Sequence, residues 1–198
     1  MANNKSAIIF ISGISGVGKS TISKELANKL NFVHINQDNY YLKDKPIVTL
    51  SNGLKVKNWD SVAALDFEKL NNDIYDYLSE GRNILLEGFC LRDDLIKVVP
   101  NIHIHLSYIP VPPNVNLVDT YTANKDVIIP RIIRSRAQAK PGIKNDEIVV
   151  NELVWPFYMN TLENSTIDYV INTFDNNGHR IDKNVIINSI IDLLEELK

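Results

Sequence analysis

The sequence predicts a single α/β domain of three layers, a mostly parallel five-stranded sheet with helices on both faces. Three observations carry this expectation. Short apolar runs alternate with segments of helical periodicity along the whole chain. The first run meets a glycine-rich loop and then a helix, which opens a βαβ unit. Finally, 198 residues with 44% hydrophobic content suffice for one sizeable core plus a lid or hairpin, and two full domains would be tight.

Taken in order, residues 7–11 read as a buried strand closed by Ser12-Gly13. Residues 19–30 turn helical, with Ile22, Leu26 and Leu30 on one face, and 32–35 form a second strand. Residues 37–57 are polar and carry the turn signal Asn52-Gly53, so they form an excursion over the active face in which 47–50 and 54–57 pair. Residues 61–78 predict a helix capped by Ser61 and ended by Gly81. Residues 83–86 are the next strand, running into Glu87-Gly88. Residues 101–106 are another, whose alternation with His103 and His105 predicts a more polar side. Three prolines argue against a regular element in 108–116. Residues 130–141 hold the densest basic stretch, Arg131, Arg134, Arg136 and Lys140. A helix over 146–160 must be kinked or interrupted by Pro156. Residues 166–171 are the last strand and 182–197 a final amphipathic helix.

The formal net charge is −3, from 21 basic and 24 acidic residues, which argues against a basic nucleic-acid surface. Phosphate binding needs no overall positive charge, because backbone N–H groups hold phosphates. Cys90 is the only cysteine, so neither an internal disulfide nor a multi-cysteine metal cluster is available, and a reducing setting is expected. The four histidines lack HExxH spacing, and His34, His103 and His105 read as structural. No segment reaches bilayer length, and the opening apolar run reads as a core strand rather than a signal segment. The expectation is a cytoplasmic protein, a monomer or weak homodimer, with no membrane partner.

Residues 13–20, GISGVGKS, match G-x-x-x-x-G-K-S completely. Gly13, Gly16 and Gly18 let the backbone turn so that successive N–H groups, including those of Ser15 and Val17, point inward. The following helix adds its N-terminal dipole. In this motif Lys19 reaches the β- and γ-phosphates and Ser20 offers its hydroxyl to Mg²⁺, while Thr21 contacts the α-phosphate region or caps locally. The implied cofactors are ATP and Mg²⁺.

Two carboxylates follow strands, Asp38 and Glu87, which puts both near the carboxyl edge of the sheet. Asp38 is the candidate to accept a hydroxyl proton and Glu87 to hold Mg²⁺, directly or through water, and the two roles are exchangeable on this evidence. Trp59-Asp60 offers a ring to stack on a base and a carboxylate for ribose hydroxyls. Of Tyr40 and Tyr41, one faces the acceptor and the other packs. The arginines suit a lid that neutralises a transferring phosphoryl group and excludes water. Arg131 and Arg134 are the candidates toward ATP, and Arg136 toward the acceptor.

By these blocks the chain resembles the nicotinamide riboside kinases, within the wider uridine kinase-like nucleoside kinases. The resemblance rests on GISGVGKS, INQDNYY (35–41), NGLKVKNWDSVAALDFEKL (52–70), ILLEGF (84–89) and VWPFY (154–158). It implies the three-layer P-loop NTPase fold with strand order 2-3-1-4-5 over one domain, 1–198. The substrate-binding excursion would span about 38–60 and the lid about 125–147. It implies Asp38 as catalytic base, Trp59 stacked on the nicotinamide, Asp60 on the ribose hydroxyls and Glu87 at the metal and catalytic site. The implied activity is ATP-dependent phosphorylation of a nucleoside 5′-hydroxyl, nicotinamide riboside giving nicotinamide mononucleotide. The alternatives are a uridine-cytidine kinase and a non-enzymatic nucleotide-dependent switch. The NWD wording also resembles uridine kinases. The lid, PRIIRSRA with KPGIKNDEIV behind it, departs from the tight arginine cluster of the family.

Overall fold

The computed structural model describes residues 6–112, 115–139 and 146–197. Strand β1 (Ile8–Gly13) feeds the loop that enters helix α1 (Lys19–Leu30), and β2 (Val33–Asn36) follows. The excursion forms a small antiparallel hairpin, β3 (Ile47–Thr49) with β4 (Lys55–Lys57). Next come α2 (Phe67–Ser79), β5 (Ile84–Gly88) and β6 (Ile102–Ser107). Helices α3 (Leu117–Ala123), α4 (Lys125–Ala139), α5 (Asp146–Val149) and α6 (Trp155–Glu163) precede β7 (Tyr169–Asn172) and α7 (Lys183–Glu196). The main sheet runs β2-β5-β1-β6-β7, every pair parallel. Counting its own strands alone, that is the order 2-3-1-4-5.

Period-two alternation makes the three layers. Ile9, Ile11 and Leu85 face one core, shared with Ile22 and Leu26 of α1 and Ile186 and Ile190 of α7. Ile8, Phe10, Ile84 and Leu86 face the other, with Leu70 and Ile74 of α2. Each central strand therefore reads as a continuous apolar run although only half of it serves either core. Truncating a fully buried leucine such as Leu26 to alanine would cost about 2–5 kcal/mol.

Three expectations are corrected. Helix α2 starts six residues later than expected, because Asp66, not Ser61, accepts from the Lys69 amide, and Leu65 is extended and bridges to Tyr41. Strand β6 has no wet side, lying fully buried between β1 and β7. Its histidines are held neutral: burial lowers the pKa of His103 and brings that of His105 down to about 3. A single proton order satisfies them. The Thr166 carbonyl only accepts, so His103 Nδ1 donates to it at 2.8 Å and His103 Nε2 accepts from Ser12 Oγ at 2.8 Å. Ser12 then accepts from His105 Nδ1, leaving His105 Nε2 to accept from Tyr158 Oη at 2.8 Å. The residue before Gly13 is thus tied to α6. Finally, Pro156 leaves the helical path continuous: Val150–Val154 winds as a π-helix and the proline falls in the first turn of α6. Lys140 and Pro141 lie outside the described residues.

Among the described residues no helix is long and apolar enough to cross a membrane.

Candidate active site

A cleft of about 1290 Å³ opens at the carboxyl edge of the sheet, with the glycine-rich loop as its floor. Gly16 and Gly18 hold φ of 85° and 103°, which glycine adopts without strain. A Cβ on Gly16 would sit 2.3 Å from Tyr108 Oη and from Ser135 Oγ, so α4 and the loop after β6 press directly on the turn. Tyr108 donates to the Ser15 carbonyl at 2.6 Å, and the Val17 amide, expected to turn toward phosphate, donates to the Ile14 carbonyl at 3.4 Å. Ser15, Gly16, Gly18, Lys19, Ser20 and Thr21 all line the cleft, whereas the Val17 side chain is anchored in the core. Lys19 Nζ donates to the Ile14 carbonyl at 3.1 Å. Burial lowers its pKa, and Asp38 and Glu87 oppose that shift electrostatically. Both carboxylates therefore bear on one ammonium.

Their placement follows from the sheet. Asn36 pairs with Glu87 in the β2–β5 register, so Asp38 and Glu87 leave neighbouring strands at the same edge. Asn36 Oδ1 accepts from the Asp38 amide at 2.8 Å and starts a 3₁₀ turn. Buried Gln37 locks that turn to the loop after β5. Its Nε2 donates to the Cys90 carbonyl at 2.6 Å, and its Oε1 accepts from the Phe89 and Cys90 amides at 3.1 and 2.9 Å. Gly88 is small because Gln37 Oε1 would lie 2.6 Å from a Cβ there. Glu87 is 1% exposed, and neither of its oxygens has a hydrogen-bond partner among the described residues. His34 Nε2 stands 3.3 Å from Glu87 Oε1, a neighbour that the sequence reading passed over as merely structural.

The opposite wall comes from the excursion and the helices after α4. Tyr41 and Trp59 pack edge to face with centroids 5.1 Å apart, and both line the cleft. Burial, with Asp38 and Asp60 nearby, raises the Tyr41 pKa. Asp60 is buried, and Arg136 places Nη1 at 4.0 Å from it while Nε lies 3.9 Å from Asp146. Arg136 is thus the α4 arginine that turns inward, held between two carboxylates. At the hairpin tip Ser51 donates its amide at 3.0 Å, and its hydroxyl, to Glu152 of the π-helix, tying the excursion to the helices opposite.

Besides Gly13 and Val17 of the loop, three candidates are not brought to the cleft lining. Tyr40 turns away, because its hydroxyl donates to Asp73 of α2 at 2.8 Å and its ring packs in the second core. Arg131 Nη1 donates to the Tyr108 carbonyl at 2.6 Å and its guanidinium lies 4.9 Å from the Phe174 ring, outside the cleft. Arg134 is exposed on the outer face of α4. Conversely, Arg180 was missed. It donates to the Gly16 carbonyl at 2.6 Å and to the Val17 carbonyl at 3.2 Å, rests 4.7 Å from the Phe174 ring and lines the cleft. A bridge between Phe174 and Arg180 shapes the turn that delivers it. The turn signal Asp175-Asn176-Asn177-Gly178 marks that loop in the sequence, but nothing local points it at residue 16.

The residues fit a nucleotide with a hard divalent cation. The backbone cradle is glycine-shaped, Ser20 offers an oxygen, and the buried, unsatisfied Glu87 carboxylate faces the same cleft. Among the described residues no group of three or more His, Cys, Asp or Glu residues is arranged to hold a metal. That suits an ion taking one or two protein ligands and completing its shell with phosphates and water.

Sheet order, all-parallel pairing and this loop define the P-loop NTPase fold. Residues 9–106 match a family model described as AAA domain. The curated proteins the chain is similar to are kinases. It is similar to the cytidylate kinase of Clostridium botulinum, 32% identical over 93 residues, 47% of this chain and 40% of that protein. It is also similar to the guanylate kinase of Malacoplasma penetrans, 24% identical over 171 residues, 76% of this chain and 87% of that protein. Among solved structures it resembles an unliganded sugar kinase from Janibacter sp. HTCC2649, with TM-score 0.55, 16% identity and coverage of 96% and 95% of the two chains. That last likeness concerns the fold. The chain spans about two fifths of the length of the first of these curated relatives.

Proposed function

We propose that the protein transfers the terminal phosphoryl group of ATP, with Mg²⁺, to the 5′-hydroxyl of a ribonucleoside. Nicotinamide riboside is the first acceptor and nicotinamide mononucleotide the product. The observation that carries this reading is the convergence of Asp38 and Glu87 on Lys19, in a cleft whose far wall is Tyr41, Trp59 and Asp60. A nucleotide switch has no use for the second wall.

In this reading the loop amides and Lys19 hold the β- and γ-phosphates, and Arg180 keeps the loop's carbonyls turned away from them. Ser20 and Glu87 hold the cation, which when bound neutralises charge between those phosphates. Trp59 stacks on the base and Asp60 takes the ribose hydroxyls. Asp38 takes the 5′-hydroxyl proton as the oxygen attacks the γ-phosphorus and ADP leaves. Arg136 offsets the charge that develops. A cytoplasmic monomer or weak dimer remains the expected form.

A second reading, a neutral pyrimidine nucleoside as acceptor, is favoured by one observation: the Lys45 ammonium lies 3.7 Å from the Trp59 ring centroid, where a cationic base gains least. The names of the curated relatives add cytidine and guanosine monophosphates as acceptors to compare. The test is product formation from ATP-Mg²⁺ with nicotinamide riboside, uridine, cytidine and these monophosphates, read by ³¹P NMR. A 5′-phosphorylated nucleoside is the expected result. Turnover of monophosphates alone, or of nothing, would overturn it.

A further inference from the structure

We infer that Lys45 is a charge filter on the base subsite, selecting neutral or anionic rings over cationic ones. The inference takes up the second acceptor reading above, a neutral base, weighs against nicotinamide riboside as the first acceptor, and for its substrate consequence rests on a nucleoside being the acceptor.

The hairpin register puts Lys45 there. Ile47 pairs with Lys57 and Val48 with Val56, and the Asn58 amide donates to the Pro46 carbonyl at 2.7 Å just beyond. Continuing that antiparallel register one step sets Lys45 opposite Trp59, the position from which side chains of facing strands meet. Lys45 Nζ then donates to the Leu42 carbonyl, which stations the ammonium 3.7 Å from the Trp59 centroid and 5.6 Å from that of Tyr41. Both aromatic rings of the acceptor wall therefore already serve a cation.

The filter acts on a base stacked on the face of Trp59 opposite Lys45, since on the face Lys45 covers any ring, charged or neutral, must displace the ammonium. On the opposite face a cationic ring meets an indole already polarised toward Lys45 and a like charge across the ring. A neutral ring meets neither penalty, and an anionic substituent gains a partner. The carboxylates nearby do not reverse this. Asp60 has Arg136 at 4.0 Å, Arg136 also reaches Asp146, and Asp38 acts on Lys19.

The filter is testable without turnover, because Trp59 is 37% exposed whereas Trp155, the other tryptophan, is buried. Tryptophan fluorescence is quenched with N-methylnicotinamide, a cation, and with neutral acrylamide, in wild type, Lys45→Met and Lys45→Arg. Lys45→Met should raise the cation's quenching constant about threefold relative to acrylamide's, and Lys45→Arg should keep the wild-type ratio. In parallel, kcat/KM for nicotinamide riboside relative to its neutral isostere benzamide riboside should rise about threefold in Lys45→Met. An unchanged quenching ratio, or a rise for both quenchers together, would overturn the filter. The parallel change would mean only that a loop had loosened. If quenching changes as expected while no riboside is phosphorylated, the filter stands and the kinase reading fails.

Discussion

The two halves of the cleft are built in opposite ways. The half proposed for the donor is one contiguous segment, Gly13–Thr21, set between a buried strand and a helix, and its chemistry is mostly backbone. The half proposed for the acceptor is assembled from residues far apart in the chain, Asp38, Tyr41, Trp59, Asp60 and Arg136, and its chemistry is all side chain. Backbone chemistry depends on φ at a few glycines, so nine residues suffice to specify it. Side-chain chemistry depends on which way each residue faces, which long-range packing decides. The donor half should therefore tolerate changes across the cleft, and the acceptor half should fail through its supports.

The largest effect should come from the floor. Lys19→Met is expected to lower single-turnover phosphoryl transfer by about 10²–10³-fold, while equilibrium binding of the nucleoside stays near wild type. Loss of both together would mean that the halves are one site and not two. Next is a support of the acceptor side. Gln37→Leu strands the buried Phe89 and Cys90 amides and unpins the Asp38 turn, so kcat should drop by about 10-fold or more with ATP affinity retained. If ATP affinity falls in step, Gln37 serves the fold and not the position of Asp38. Arg180→Ala should act on the donor half alone, weakening ATP binding by about 3–10-fold and leaving nucleoside affinity as it was, measured by calorimetry.

The smallest effect is on pH dependence. His105 has a folded pKa of about 3 against its ordinary 6.5, so the neutral form is the one the fold accepts. Its contribution to stability is full above pH 6.5 and is lost as the pH falls toward 3. His103 is shifted in the same direction. In His105→Gln the fall of Tm with acidification across this window should be shallower, without vanishing, because His103 remains. A slope equal to that of wild type would mean that His105 is protonated in the fold.

The same contrast explains what was legible in the sequence. The loop and the five strands were, because buried parallel strands announce themselves as apolar runs and the motif is local, whereas the strand order came from the family resemblance. Asp38 and Glu87 were legible as positions because parallel strands deliver their ends to one edge. Tyr40 against Tyr41 was not: a 3₁₀ turn decides which of two adjacent rings faces the cleft, and Asp73, 33 residues away, takes the first. Arg180 lies 163 residues from Val17, whose carbonyl it holds, and only the closed sheet brings them together. The arginines of α4 share one sequence run but point three ways, toward Tyr108, solvent and Asp60. His103 and His105 looked like a polar side, because composition cannot show that Ser12, Thr166 and Tyr158 satisfy them inside the core.

The central claim is that Asp38 serves the reaction and not the binding of either substrate. Asp38→Asn keeps the turn that Asn36 starts, since the Asp38 contact used there is its backbone amide. Single-turnover transfer measured beside equilibrium constants for ATP and for the nucleoside tests the claim directly. The rate should fall by about 10²–10⁴-fold with both affinities within about threefold of wild type. A rate near wild type, or a loss fully explained by weaker binding, would contradict it.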